Sequence, residues 1–203
     1  MKIIGLTGGI ASGKSTVTAI LQKRFKYIVI DADQLAREAV QKGSKGLEKI
    51  IETFGVHCLT KDGELNRGLL GEMIAEDENT RKKLNAIVHP EVKRLYDEQI
   101  AYYEKRGLPM VFFDCPLLFE AGLENTVDEI MLVVTDEEIR INRIMERDEV
   151  TRDLAEKKIH MQMKDSEKIK RSDIIIVNNG TLDDLLITLN VYFTNRKPWV
   201  KNA

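Results

Sequence analysis

The feature that most restricts this chain's fold lies close to its first residue. A short apolar run, Ile3, Ile4 and Leu6, stops at Gly8-Gly9, and from Lys14 apolar residues recur at helical spacing through Val17, Ile20 and Leu21. A buried strand thus gives way to a helix over residues 14–25. The turn between them reads Gly8-Gly9-Ile10-Ala11-Ser12-Gly13-Lys14-Ser15, followed by Thr16. It fits G-x-x-x-x-G-K-[ST], in the strand–turn–helix setting that the motif requires. Glycines let the backbone bend so that successive N–H groups converge on phosphate oxygens. The helix N-terminus adds unsatisfied donors and a partial positive charge. On this reading the backbone of Gly9, Ile10, Ala11, Ser12, Gly13, Lys14, Ser15 and Thr16 cradles a nucleoside triphosphate. Lys14 reaches its β- and γ-phosphates, and the Ser15 hydroxyl ligates Mg²⁺. The competing reading, an ordinary bend with an exposed lysine, leaves the full motif in this context unexplained.

Four further apolar runs follow: residues 27–30, 110–113, 130–134 and 174–177. Five short, near-continuously apolar strands separated by helical segments predict an α/β fold, a parallel sheet covered on both faces. Residues 34–107 contain no convincing strand and read as helices. Ser44 caps one that Gly55 ends, Asn66 caps another, and Pro90 starts a third that Gly107 ends. In the third, Val92, Leu95, Tyr96, Gln99, Ile100 and Tyr103 share a face. A helical insertion between the second and third strands is therefore expected. Arg196-Lys197-Pro198-Trp199 reads as a terminal coil pinned by its tryptophan.

With 203 residues, 43% hydrophobic and 32% charged, the chain can bury one real core. Its net charge of −2 offers no global basic field, so neither nucleic acid nor a membrane surface is an expected partner. Cys58 and Cys115 form no C-x-x-C pair and read as reduced small side chains. The opening MKIIGLTGG is too short and glycine-rich for a signal peptide, and no apolar run approaches membrane-spanning length. The expected location is cytoplasmic.

The strand ends supply candidate chemistry, because ligands of open parallel sheets lie beyond the strands' carboxyl ends. Asp31 and Asp33 follow the second strand. There a carboxylate can take a proton from an attacking hydroxyl, help hold Mg²⁺, or merely cap the next helix. The pair is divided: one functional, one partly structural, with Asp33 favoured as the base. Asp114 ends the third strand and either supports Mg²⁺ through water or is a turn carboxylate. Thr135-Asp136-Glu137-Glu138 reads as a capping box opening a helix. On that helix Arg140, Arg143 and Arg147 share a face. They close over a triphosphate, or they pair with Glu137, Glu138 and Glu146 as a solvated surface. The absence of an N-K-x-D box counts against a GTPase.

The segments GLTGGIASGKST, DADQLARE, LNRGLLGEMI, LNAIVHPEV, FFDCPLLFE and SDIIIVNNGT, in this order, make the chain resemble the dephospho-CoA kinases from residue 3 to about 190. The resemblance implies a P-loop kinase-like five-stranded parallel sheet with a helical substrate-binding insertion and a helical lid. It implies ATP-dependent phosphorylation of the ribose 3′-hydroxyl of dephospho-CoA, the last step of coenzyme A synthesis. Residues 1–33, 108–135 and 166–203 would form the nucleotide-binding core, 34–107 the dephospho-CoA-binding insertion and 136–165 the lid. It implies Asp33, Lys14 and Arg140 as catalytic residues and places Arg143, Arg147 and Asn178 at ATP. Thr7, Asp33, Arg67, His89, Leu117 and Phe119 are expected at the substrate, with Leu118 in the same apolar wall. Arg67 would otherwise read as a surface cation, His89 as a helix-start or core histidine, the apolar residues as core, and Asn178-Asn179-Gly180 as a turn. Mg²⁺ is the implied cofactor, with Asp31 and Asp114 reached through water. ATP and dephospho-CoA are the implied partners of a monomer or weak homo-oligomer.

Departures from the family pattern are few. Ala11 stands where glycine is common and is harmless if its φ is negative, Asn66 replaces a frequent Asp, and Cys115 replaces an aliphatic residue. Lys158 replaces a lid arginine, which can weaken one phosphate contact. A kinase for another small hydroxylated metabolite and a nucleotide-sensing switch are the alternatives.

Overall fold

A computed structural model of the chain describes residues 1–195, apart from the side chains of 75, 76 and 195. The expected tail over 196–199 lies outside the described residues. Five strands form one sheet: β1 (Lys2–Gly8), β2 (Val29–Asp31), β3 (Met110–Asp114), β4 (Glu129–Val134) and β5 (Ile174–Val177). Their order is β2-β3-β1-β4-β5, and the β1–β3, β1–β4 and β4–β5 pairs are parallel. The chain thus builds outward from β1 in both directions. That makes the carboxyl end of β1 a switch point, the edge where ligands bind in such sheets.

Nine helices accompany the sheet among the described residues: α1 (Lys14–Lys23), α2 (Ala32–Glu38), α3 (Lys45–Phe54), α4 (Arg67–Glu76), α5 (Glu78–Lys105), α6 (Glu137–Asp148), α7 (Arg152–His160), α8 (Asp165–Lys170) and α9 (Leu182–Asn195). Val17, Ile20 and Leu21 of α1 and Leu185 and Leu189 of α9 pack with Leu6, Phe112, Met131 and Ile176 in one core. Strand β2 is shorter than its apolar run. Tyr27 instead joins an aromatic cluster, 5.4 Å from the ring of Phe112 and 5.1 Å from that of Phe193. Edge strand β5 buries only Ile174 and Ile176 and leaves Ile175 and Val177 exposed.

The chain separates into two compact units, residues 1–30 with the chain from 106 onward, and residues 31–105. The second unit has its own core of Ala39, Val40, Ile50, Cys58, Leu70 and Leu84. Its expected caps form: Ser44 Oγ accepts from the Leu47 N–H at 3.1 Å, and Asn66 Oδ1 from the Leu69 N–H at 3.2 Å. One helix boundary differs. Pro90 lies inside α5, which Asp77 starts by accepting from the N–H groups of Asn79 and Thr80. The proline removes one backbone donor, but His89 and Pro90 lie on the exposed side, where water can serve the freed carbonyl. Ile87, Val88, Val92 and Leu95 meanwhile pack on the core side and carry the helix through. No helix among the described residues is long and apolar enough to cross a membrane.

Candidate functional site

The turn after β1 closes tightly, with the Ser12 N–H donating to Gly9 O at 3.0 Å. Gly13, at φ +86°, caps α1 with a conformation suited to glycine. Ala11, expected at negative φ, instead sits at +60°. A left-handed alanine costs roughly 1–2 kcal/mol, so its surroundings must hold it.

Those surroundings are apolar on one side, where Ala11 packs against Ile141, Ile144, Ala155 and Ile159, and the turn beside it is held by buried polar groups. Asn178 Nδ2 donates to Ser12 O at 2.8 Å, and the Thr135 hydroxyl lies 2.9 Å from Ser12 O and 3.1 Å from Asn178 O. The expected capping box is therefore absent. The Thr135 side chain turns into the loop, Asp136 is the N-cap residue of α6 without a side-chain bond, and its N–H donates to Asn179 Oδ1. A cavity of about 590 Å³ opens over the loop, lined by residues 8–16 together with Pro116, Arg143, Arg147, Gln162, Asn178 and residues 180–182 and 185.

Lys14 forms an ion pair with Asp114 Oδ1, and the Thr18 hydroxyl donates to Asp114 Oδ2 at 2.6 Å. Asp114 is buried, whereas Ser15 is exposed at the start of α1. Among the described residues no three His, Cys, Asp or Glu side chains group so as to hold a metal by themselves.

The three α6 arginines do different things. Arg140 is 3% exposed, donating from Nε to Ile10 O at 2.8 Å and from Nη1 to Asp165 Oδ2 at 2.7 Å. It braces the loop and lines a second cavity of about 360 Å³ that shares Gln162 with the first. Arg143 donates to Ala11 O and Asn178 O while lining the first cavity. Arg147, at the cavity's rim, pairs with Asp148, as does Lys158. Hydrogen bonds from Arg147 and Lys158 hold the Asp148 carboxyl far below the usual carboxylate range. Two of the three expected acidic partners are engaged elsewhere, Glu138 with Arg152 and Glu137 with His160.

Two of the residues expected at the substrate are interior. Thr7 is fully buried, its hydroxyl donating to Pro116 O at 3.1 Å. Phe119 is buried with its ring 5.0 Å from the Arg171 guanidinium carbon, and Leu118 is likewise interior. Leu117 alone of that wall is exposed, at 47%.

In the second unit, Asp31 Oδ1 accepts from the N–H groups of Asp33 and Gln34 at 2.8 and 3.0 Å, making it the cap of α2. Asp33 is exposed, and its carboxylate has no hydrogen-bond partner among the described residues. Arg67 opens α4 and lines a cavity of about 370 Å³ with Arg37 and Lys42. His89 is exposed in the middle of α5, neither a core histidine nor a helix start.

Sequence reasoning passed over Thr18, Gln162 and Asp165, which carry no local motif. It also passed over Glu120, whose Oε1 accepts from the Met163 N–H and lies 2.8 Å from the fully buried Lys168 Nζ. Burial pushes the Glu120 carboxyl up, but Lys168 and backbone donors outweigh it and leave it below the ordinary range.

Comparison with known proteins adds a lineage to this geometry. A family model described as dephospho-CoA kinase matches residues 2–184. A dephospho-CoA kinase of Fusobacterium nucleatum is 47% identical over 184 residues, which span 90% of this chain and 92% of that protein. A crystal structure of a Thermus thermophilus protein superposes with a TM-score of 0.80 at 35% identity, covering 97% of this chain and 98% of the other. A dephospho-CoA kinase from Campylobacter jejuni gives 0.73 at 29% identity, covering 96% and 97%.

Proposed function

The chain belongs to the dephospho-CoA kinase family, and we propose that it transfers the γ-phosphoryl group of ATP to the ribose 3′-hydroxyl of dephospho-CoA, yielding coenzyme A and ADP. It is a P-loop phosphotransferase of coenzyme A biosynthesis. The observation that carries the proposal is the braced loop with its Lys14–Asp114 pair, in a chain matching the family model over 2–184.

Phosphoryl transfer asks a protein for positioning and charge neutralisation more than for covalent chemistry. The N–H groups of residues 9–16 that are not engaged inside the protein hold the phosphates, those of Ile10, Ser12 and Thr16 being taken by Gln162, Gly9 O and Gly13 O, and Lys14 exchanges Asp114 for phosphate oxygens when ATP enters. Arg143 and Arg147 then meet the charge on the moving group. Asp33 orients the 3′-hydroxyl and takes its proton as the new oxygen–phosphorus bond forms and the bond to ADP breaks. Its uncommitted carboxylate supports that role, whereas Asp31 is committed to the cap of α2. Arg67, His89 and Leu117, all exposed, serve the acceptor; the buried Thr7 and Phe119 are left out of that set. Residues 34–107 hold dephospho-CoA, and 136–165 act as the lid.

Kinases of this kind use ATP with a divalent metal. The residues fit Mg²⁺ that arrives with ATP: among the described residues no carboxylate cluster could hold it alone, Ser15 would be its protein ligand, and Asp114 would support it. When bound, the ion neutralises phosphate charge. Cys58 and Cys115 are buried thiols not joined in a disulfide, which supports a cytoplasmic setting.

An ADP-release assay with Mg·ATP, with and without dephospho-CoA, tests the reading. ADP release that depends on dephospho-CoA, with one phosphate added to the product by mass, is expected. Release indifferent to dephospho-CoA would reject that acceptor.

A further inference from the structure

One residue of the loop, Ile10, is gripped from outside on both of its peptide groups. Its N–H donates to Gln162 Oε1 at 2.7 Å. Its carbonyl accepts from Arg140 Nε at 2.8 Å, and Arg140 continues to Asp165 at 2.7 Å. Gln162 and Asp165 lie in or next to the short link between α7 and α8, so one stretch of chain reaches Ile10 by two routes.

Three physical points separate this from incidental packing. Gln162 is half-buried and lines the 590 Å³ cavity beside the loop, so its grip acts at the site itself. A backbone N–H in an anion-binding loop either points at the anion or is satisfied elsewhere. By taking the Ile10 N–H, Gln162 fixes the plane of the 9–10 peptide and hence the aim of the N–H groups that follow. Finally, the next residue is the left-handed Ala11, and strain of that kind persists only where neighbours over-determine the backbone.

We propose that Gln162 is a positioning residue for phosphoryl transfer, its side-chain carbonyl setting the Ile10 peptide so that the loop and Lys14 meet the γ-phosphoryl group in register. The inference deepens the kinase reading and rests on it. Gln162 acts through Ile10 and is assigned no contact with the acceptor.

The test is a cycle of four proteins: wild type, Gln162→Met, Ala11→Gly and the double variant. Each is assayed for kcat and both KM values, for affinity toward ADP and a non-hydrolysable ATP analogue by calorimetry, and for melting temperature. Methionine keeps the bulk and removes the strong acceptor. A misaligned loop lowers kcat by about 10- to 100-fold. The KM for dephospho-CoA stays within about twofold, and the ATP analogue loses more affinity than ADP. In the Ala11→Gly background the kcat penalty of Gln162→Met shrinks, because glycine holds φ +60° without outside help.

Equal penalties in both backgrounds overturn the proposal, since they mean that Gln162 acts elsewhere than through the loop. So does a Gln162→Met enzyme within about twofold of wild type. Should Gln162→Met melt below the assay temperature, Gln162→Asn, which keeps the amide but falls short of Ile10, takes its place with the same expectations. The two readings fail differently. Wild type without acceptor-dependent ADP release rejects the kinase reading, while calorimetry still shows whether Gln162 governs the loop.

Discussion

Around the loop after β1, side chains from elsewhere in the protein grip the backbone carbonyls and the Ile10 N–H, whereas the residues proposed to meet the acceptor from the 31–105 unit stand open. Ser12 O is held by Asn178, Ile10 by Gln162 and Arg140, Ala11 O by Arg143, and Asp114 by Lys14 and Thr18. In the other unit Asp31 is spent on a cap, and Asp33, Arg67 and His89 are exposed. The difference follows from what each region stabilises. A phosphate cradle works by dipoles aligned before the ligand arrives, and realigning them during reaction would forfeit their benefit. An acceptor's own binding energy can order exposed side chains, so that region need not be set in advance.

The largest expected effect divides the two regions directly. Asp33→Asn lowers turnover by about 10²-fold or more while ATP affinity, read by calorimetry, stays within about twofold. Comparable losses in both would erase the distinction, and near-normal turnover would remove Asp33 as base.

Glycines sharpen the comparison. A Cβ at Gly9 lies 2.6 Å from Arg140 Nη2, and that guanidinium is pinned by Ile10 and Asp165. Gly9→Ala is expected to cost about 1–3 kcal/mol of stability and to weaken nucleotide binding. Gly71, inside α4, has nothing within 4 Å of its built Cβ. There Gly71→Ala stabilises by about 0.5–1 kcal/mol. Thermal unfolding of both variants distinguishes a site under constraint from one with room.

Acid titration probes the first unit again. The Glu120 carboxyl lies below its ordinary value in the folded protein, so its contribution is fully present above the unfolded carboxylate value near pH 4. That contribution is lost as pH falls through the folded value. Melting temperature against pH should therefore fall less steeply below about pH 4 in Glu120→Gln than in wild type. Parallel curves would show that Glu120 contributes nothing.

The smallest effect is at Ala11. Glycine there relieves about 1–2 kcal/mol of left-handed strain but adds about 0.5–1 kcal/mol of chain entropy. The expected rise in melting temperature is a few degrees at most. A fall would mean that the loop does not strain Ala11.

Much of this molecule was legible in its residues. Apolar runs located all five strands, side-chain caps at Ser44 and Asn66 began helices as expected, and the loop motif marked the turn over which the larger cavity opens. The misreadings share a pattern. Pro90 was read as a helix start because the stop signal of proline is local, while the packing of Ile87, Val88 and Val92 that overrides it is not. Thr135 was read as part of a capping box because its true partners, Ser12 and Asn178, lie far off in the chain.

The sequence by itself determined the order of strands and helices, the phosphate-binding loop and the identity of its lysine, because these depend on period and on neighbours within a few residues. The tertiary structure decided which arginine braces the loop and which line the cavity, and it brought Gln162 to Ile10. Those contacts join residues 152, 130 and 100 positions apart, for Gln162–Ile10, Arg140–Ile10 and Lys14–Asp114. No local pattern encodes such pairs, because only the parallel sheet's crossovers bring their ends together.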